Sequence, residues 1–285
     1  MTYTERAHSF ACEGEMLTGI LSVPESPGRL GVVIVVGGPQ YRVGSHRQFV
    51  LLARSLARAG YATLRFDYRG MGDCSGEARD FNSVTTDIAA AITLLQQAVP
   101  GVEHIALWGL CDAASAALMY VGETRDGRVG GLCLLNPWVR SEASLARAHV
   151  KHYYRDRLRQ KEFWLKLLRG GVATAALKGL WRNMRLMAGT PSATGQAGAA
   201  PFQLRMASAW KHYAGSILLV LSGQDYTAKE FLEHAGSDTQ WSGLLAQAKV
   251  LRADVPDADH TFSSQRLRAQ VEEATVSWLG TLGRH

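Results

Sequence analysis

The chain has 285 residues, of which 47% are hydrophobic and 20% are charged, and its formal net charge is +6. These proportions are typical of a globular protein and exclude a disordered or fibrous chain. The four cysteines have neither the spacing of a metal site nor the density of a disulfide scaffold, so we expect a reducing compartment. Because no signal peptide is evident and the apolar run at 31–36 is too short to span a bilayer, we expect a cytoplasmic protein.

Short apolar runs alternate with helical patterns along most of the chain, which is typical of a parallel sheet with crossover helices. The predicted strands are Phe10–Glu13, Leu17–Val23, Val32–Val36, Ala62–Asp67, Ile105–Trp108, Gly131–Leu135, Ile217–Ser222 and Lys249–Ala253. The predicted helices are Arg47–Ala59, Asn82–Ala98, Asp112–Val121, Thr239–Gln247 and Ser264–Leu282. The first two strands predict an antiparallel hairpin at one edge. We therefore expect an α/β fold with a mostly parallel sheet of about eight strands flanked by helices.

The alternation stops between about Arg140 and Tyr213, where the pattern becomes helical and basic. We predict that residues 140–213 form an inserted helical cap over a core made of residues 1–139 and 214–285. Up to residue 211 this segment holds 14 Lys or Arg against 3 Asp or Glu, a surplus of 11 positive charges. A solvated helical surface is one interpretation. The other is attraction of an anionic substrate, or peripheral membrane contact with anionic headgroups. No recognition module accompanies the charge, which argues against nucleic-acid binding.

The segment Gly109-Leu110-Cys111-Asp112-Ala113 lies between a predicted strand and a predicted helix. A strand that turns abruptly into a helix lifts one side chain above the sheet and needs small neighbours, which Gly109 and Ala113 supply. The N-terminus of the helix adds partial positive charge that favours a thiolate. We therefore predict that Cys111 is a nucleophile. The alternative is a buried cysteine that only packs, a frequent role for a free thiol.

Two further polar residues follow late strands of the predicted sheet. Asp225 and His260 each come just after a strand, so both should emerge at the edge where Cys111 emerges. An imidazole can take the thiol proton, and a carboxylate can orient the imidazole. We predict His260 as the base and Asp225 as the acid that orients it. Asp257 and Asp259 are rival acids better placed to shape the histidine loop, while a helix-capping Asp225 and a solvated His260 are the structural alternatives.

The loop Gly37-Gly38-Pro39-Gln40-Tyr41 follows another predicted strand, and its glycines let the backbone approach a ligand. Because Pro39 has no N–H, we predict that the backbone amide of Gln40, or less favourably that of Tyr41, pairs with the Asp112 amide as an oxyanion hole. An ordinary strand-to-helix loop is the alternative. We expect the Asp112 side chain to serve in the first turn of the helix, because an anion beside an oxyanion would raise the barrier.

The segment Phe66–Gly76 is rich in glycine and predicts tight turns after a strand, with an internal ion pair between Asp67 and Arg69. It lacks the Gly-Lys-Ser/Thr ending of a phosphate-binding loop.

These motifs together resemble the α/β-hydrolase superfamily along nearly the whole chain, in the same order and spacing. More narrowly, the sequence from Gly109 to Ala116 resembles the exosortase A system-associated hydrolase 1 group of bacterial proteins. That resemblance implies a hydrolase, a bacterial source and a role near envelope polymer export, and it supplies no substrate. Most of the superfamily has serine at this position. The chain departs from that pattern by having cysteine, as dienelactone hydrolases also do.

The sequence therefore predicts a Cys-His-Asp hydrolase that cleaves an ester or thioester through an acyl-enzyme, with no metal or organic cofactor implied. The expected partner is a small acyl ester or thioester, and the basic segment favours an anionic one. An acyltransferase with the same triad, in which a hydroxyl or amine captures the acyl group, is a second hypothesis. A non-catalytic binding or scaffold protein of the export system is a third. The oligomeric state is left open.

Overall fold

The computed structural model describes residues 2–38, 40–140 and 200–282. The strands are β1 (Tyr3–Cys12), β2 (Glu15–Pro24), β3 (Leu30–Val35), β4 (Thr63–Phe66), β5 (His104–Leu110), β6 (Val129–Leu135), β7 (Ser216–Ser222) and β8 (Val250–Val255). The helices are α1 (Gln48–Arg58), α2 (Thr85–Ala98), α3 (Asp112–Thr124), α4 (Phe202–His212), α5 (Tyr226–Ser237) and α6 (Gln265–Leu282).

The strands form one eight-stranded sheet in the order β1-β2-β4-β3-β5-β6-β7-β8. β1 and β2 form the predicted antiparallel hairpin, β2 is antiparallel to β4, and every later pairing is parallel. β3 and β4 are buried at every residue, as expected where helices cover both faces of a parallel sheet. The predicted mostly parallel α/β architecture is confirmed.

Two apolar layers hold the sheet between its helices. Because side chains alternate along a strand, Val33 and Val35 face the layer formed with α2 to α5, while Val32 and Ile34 face the layer formed with α1 and α6. All the parallel strands point the same way, so their carboxyl ends share one edge. The loops that follow β3, β5, β7 and β8 therefore meet above that edge.

Three elements differ from the sequence prediction. The first strand begins at Tyr3 rather than Phe10, because its half-exposed polar residues pair with β2 along their whole length. The predicted helix Thr239–Gln247 is instead two 3-10 turns, interrupted by Gly243 in the left-handed conformation. The helix α5, which was not predicted, buries only a narrow stripe of four residues.

Most of the predicted cap, residues 141–199, lies outside the described residues. Its described C-terminal part belongs to the core, because α4 packs against α3 and buries Met206 and Trp210 completely. The described residues up to 139 and from 200 onward form one compact unit, so the core resumes at residue 200 rather than 214. Among the described helices, none has the length and apolar character that crossing a membrane would require.

Candidate active site

Cys111 lies between β5 and α3 in a strained backbone conformation, with φ 63° and ψ −125°. A positive φ is rare for a residue with a side chain and costs about 1–3 kcal/mol, so it persists only where the surroundings enforce it. They do so here: the Cys111 amide donates to the Leu135 carbonyl at 2.9 Å, and its carbonyl accepts from the Trp138 amide at 3.2 Å. Gly109 is required, since a Cβ there would lie 2.6 Å from the Ala113 carbonyl. The turn has the form of a nucleophile elbow with a half-buried thiol.

His260 and Asp225 meet above the same edge of the sheet. The Nδ1 atom of His260 lies 2.8 Å from Oδ2 of Asp225. Asp225 is the residue before α5 and caps that helix, accepting from the amides of Thr227 at 3.1 Å and Ala228 at 3.4 Å. The capping bonds fix the carboxylate, so the capping role and the orienting role belong to the same side chain.

The imidazole of His260 is held in its protonated form by its neighbours. Hydrogen bonds with Asp225 and with Cys111 raise the pKa of His260 to about 10, and burial opposes them only in part. Burial would raise the pKa of Asp225, but the hydrogen bond and charge of His260 bring it below its usual value. With Nδ1 engaged by Asp225, the ring nitrogen left for the thiol is Nε2. The structure thus brings together the three side chains that the sequence singled out.

The two rival acids have other partners. Asp257 lies 3.2 Å from Nη2 of Arg266. Asp259 accepts from the amide of Ser263 at 2.9 Å and from its hydroxyl at 2.5 Å. Asp259 therefore shapes the loop that carries His260, while Asp257 makes an exposed ion pair with the first turn of α6.

Asn136 is a residue of this site that the sequence analysis missed. It is fully buried, and its Nδ2 donates to the Ser222 hydroxyl at 2.8 Å and to the His260 carbonyl at 3.4 Å. Its Oδ1 accepts from the Ser222 amide at 2.9 Å. Asn136 therefore ties the ends of β6 and β7 to the histidine loop. The available signal was an Asn-Pro pair directly after an apolar strand.

Gly223 lets the acid loop approach the histidine loop. The amides of Gly223 and Gln224 donate to the carbonyls of Val255 at 3.0 Å and Ala258 at 2.9 Å. A Cβ at Gly223 would lie 2.1 Å from the Pro256 carbonyl oxygen. Only glycine fits this backbone contact.

Of the amides predicted to bind an oxyanion, that of Gln40 has a hydrogen-bond partner in this structure. The Gln40 amide donates to the Gly37 carbonyl at 3.4 Å. The Asp112 carboxylate accepts from the amides of Gly38 at 2.9 Å and Ala113 at 3.0 Å. A side chain at Gly37 would collide with that carboxylate, its Cβ lying 2.1 Å from Oδ1. The bond to Ala113 agrees with a place for Asp112 in the first turn of α3, while the bond to Gly38 joins α3 to the loop after β3.

The predicted ion pair between Asp67 and Arg69 is wrong. Asp67 accepts from the Arg42 amide at 2.6 Å and pairs with the Arg42 guanidinium. Arg69 pairs with the buried Asp87 at 2.7 Å. The chain turns after β4, so Asp67 faces the loop after β3 and Arg69 faces α2. The consequence is that Asp67 anchors the Gly-Gly-Pro-Gln loop beside the elbow.

No group of three or more His, Cys, Asp or Glu side chains in the described ranges is arranged to hold a metal ion.

Comparisons with known proteins agree with this architecture. A model of the alpha/beta hydrolase family matches residues 32–274. An esterase structure from Pyrococcus furiosus has a TM-score of 0.65 at 14% identity, over 98% of this chain and 93% of its own. Est1E from Butyrivibrio proteoclasticus with ferulic acid bound has a TM-score of 0.63 at 16% identity, covering 98% and 100%. A dienelactone hydrolase from Anabaena variabilis has a TM-score of 0.62 at 16% identity, covering 99% of both chains. No curated protein matches the chain.

Proposed function

The chain belongs to the alpha/beta hydrolase family, and we propose that it cleaves an ester or thioester through an acyl-enzyme on Cys111. The observation that carries the proposal is the hydrogen-bonded series Asp225, His260, Cys111 at a strained strand-to-helix turn. Each member has a role that its chemistry suits. Cys111 supplies the nucleophile, His260 holds and returns the proton, and Asp225 orients the ring and stabilises its positive charge.

The reaction proceeds in two halves. The Cys111 thiolate attacks the acyl carbon, and the carbonyl oxygen becomes an oxyanion as the new S–C bond forms. Collapse breaks the bond to the leaving group, which takes the proton from Nε2 of His260. A water molecule then gives a proton to His260 and attacks the thioester, and the thiolate leaves as the acid product forms.

The substrate class follows from the same chemistry and from the charge of the sequence. We infer a small acyl ester or thioester, with an anionic one favoured by the surplus of 11 positive charges between residues 140 and 211. The likeness of the elbow sequence to the exosortase A system-associated hydrolase 1 group supports a role beside bacterial envelope polymer export. Deleting the gene from its host should reduce exported polymer, and unchanged export would remove that part of the proposal.

Kinetics of triad variants test the proposed function. Cys111→Ala and His260→Ala should each lower kcat by about a thousandfold or more, Asp225→Asn somewhat less, and the losses should not add because the three act in one step. Asp257→Asn is the matched control and should keep the wild-type rate. If Asp225→Asn is active while Asp257→Asn or Asp259→Asn is not, the acid is misassigned.

The fate of the acyl-enzyme separates the competing functions. An acyl-enzyme that forms and persists until a hydroxyl or amine is added would indicate an acyltransferase. A Cys111 that accepts no acyl group from any ester or thioester would indicate a binding or scaffold protein.

A further inference from the structure

The backbone N–H groups beside the nucleophile converge on one side chain, the carboxylate of Asp112. It accepts from the amides of Gly38 at 2.9 Å and Ala113 at 3.0 Å. The amide of Asp112 itself also favours the charged form of this carboxyl group. The Gly38 amide, which lies in the loop after β3, and the Asp112 amide, which follows the nucleophile, are the donors that an elbow offers to an oxyanion. The carboxylate therefore lies where a reacting oxygen would need to bind.

Asp112 follows Cys111 in the chain, and its ionisation depends on groups of the proposed site. Burial raises the pKa of Asp112 above its usual value, and the surrounding amides and the positive charge of His260 offset only part of that rise. Two anions cannot share one set of donors without strong repulsion. A tetrahedral oxyanion can use these amides only after the carboxylate has left them.

A second observation is a buried tyrosine hydroxyl that has no partner in the described part of the chain. Tyr68 is only 2% exposed, and its hydroxyl is buried with no hydrogen-bond partner among the described residues. After burial, the charge of Asp112 is the largest influence raising the pKa of Tyr68, ahead of Asp87. The hydroxyl thus stays protonated at neutral pH and is an unused buried donor within electrostatic reach of Asp112. A buried donor is rarely left unpaired without a functional reason.

We propose that Asp112 gates the oxyanion hole: its carboxylate occupies the amides of Gly38 and the α3 N-terminus at rest and moves to the Tyr68 hydroxyl when the oxyanion forms. Asp112 and Tyr68 are then positioning residues. The return of the carboxylate to the amides displaces an acid product from the same donors. This inference rests on the proposed acyl chemistry of Cys111.

Two reactions at the same sulfur test the gate. Iodoacetamide alkylates the Cys111 thiolate by displacement at carbon and forms no oxyanion, whereas acylation by p-nitrophenyl acetate does. The ratio of the acylation to the alkylation rate constant therefore reports the oxyanion hole, independently of how much thiolate is present. Asp112→Ala should raise this ratio about tenfold, and Tyr68→Phe should lower it by a similar factor. In the variant that combines Asp112→Ala with Tyr68→Phe, the second substitution should no longer lower the ratio, because no carboxylate remains to be moved.

Each other outcome overturns the inference. A ratio that stays the same or falls in Asp112→Ala would mean that the carboxylate only orders the loop. A Tyr68→Phe loss that persists in the double variant would make Tyr68 a direct oxyanion donor. Asp112→Asn keeps the side-chain shape and should raise the ratio by a smaller factor, which covers the case that Asp112→Ala fails to fold.

Controls separate this inference from the proposed function. Tyr120→Phe alters a buried tyrosine farther along α3 that bonds to Asp126, and it should leave the ratio unchanged. If wild-type Cys111 reacts with neither reagent, the proposed function fails. If it reacts with both and the variants leave the ratio unchanged, only the gate fails.

Discussion

In the proposed mechanism the proton shared by Cys111 and His260 determines the chemistry of the site. An imidazole whose pKa is raised to about 10 by Asp225 and Cys111 carries its proton at neutral pH. In the proposed mechanism His260 gives this proton to the leaving group, and Asp225 stabilises the charge that the ring carries until then.

The ionisation of His260 can be followed directly. Nitrogen-15 NMR of the labelled imidazole should show a ring that stays protonated until pH about 10, against an ordinary value of 6.5. Asp225→Asn should lower that pKa by about one unit or more, and Cys111→Ala should lower it as well, because each removes a hydrogen-bond partner of the charged ring.

The same shift links folding stability to pH. A raised pKa means that the stabilising contribution of His260 is complete below about pH 6.5 and is lost as the pH rises through about 10. Chemical denaturation at several pH values should show the wild-type advantage over Asp225→Asn shrinking across that range. A wild-type His260 whose measured pKa is near 6.5 would show that Asp225 and Cys111 do not stabilise the charged ring.

At the scale of elements, the site depends on contacts between neighbouring loops. Cys111 follows β5 and Asp225 follows β7, and β6 lies between these strands. Asn136 at the end of β6 bridges this gap through Ser222 and the His260 backbone. The geometry of the proposed triad thus depends on strand ends as much as on the three side chains.

The close approach of Gly223 to the Pro256 carbonyl can be tested by substitution. Gly223→Ala should lower kcat/KM by about tenfold or more, because a Cβ would collide with the Pro256 carbonyl and displace the histidine loop. Gly236→Ala is the matched control: it lies in α5, has no atom within 4 Å of its added Cβ, and should leave activity unchanged. Steady-state kinetics of the two variants provide the comparison, and equal activities would show that the contact is not needed.

Local patterns predicted most of the strands and helices. They also singled out Cys111, Asp225 and His260, which the structure brings together. Apolar runs ending in turns locate strands, and polar residues just past them must share an edge when the strands are parallel. Such local patterns could not predict contacts between residues that lie far apart in the sequence. Asp67 pairs with Arg42, 25 residues away, rather than with Arg69. Asn136 acts through the end of β7 and the histidine loop. The occupation of the Gly38 amide by Asp112 also depends on how two loops approach in space.

At the scale of the whole molecule, charge is unevenly distributed along the sequence. The surplus of 11 positive charges at 140–211 leaves the rest of the chain net acidic. If this segment attracts the substrate, an anionic coenzyme A thioester should lose kcat/KM as salt shortens the Debye length from about 10 Å at 0.1 M to about 3 Å at 1 M. A neutral ester of the same acyl group should keep its kcat/KM over the same range of salt.

Charge reversal supplies the control for this salt effect. Reversing Arg157, Lys161 and Lys166 should flatten the difference between the two substrates. Equal salt responses in the unmodified protein would contradict the attraction of an anionic substrate and leave the interpretation of the basic segment as a solvated surface.

In the proposed mechanism Cys111 carries an acyl group during turnover. The most direct measurement is intact-mass analysis with peptide mapping after brief exposure to a panel of p-nitrophenyl esters and acyl thioesters. We predict a single acyl adduct on Cys111 that decays with time and is absent in Cys111→Ala. The other cysteines should stay unmodified, since burial raises the pKa of Cys12, Cys74 and Cys133. Turnover with no adduct on Cys111, or with the acyl group on another residue, would contradict the account.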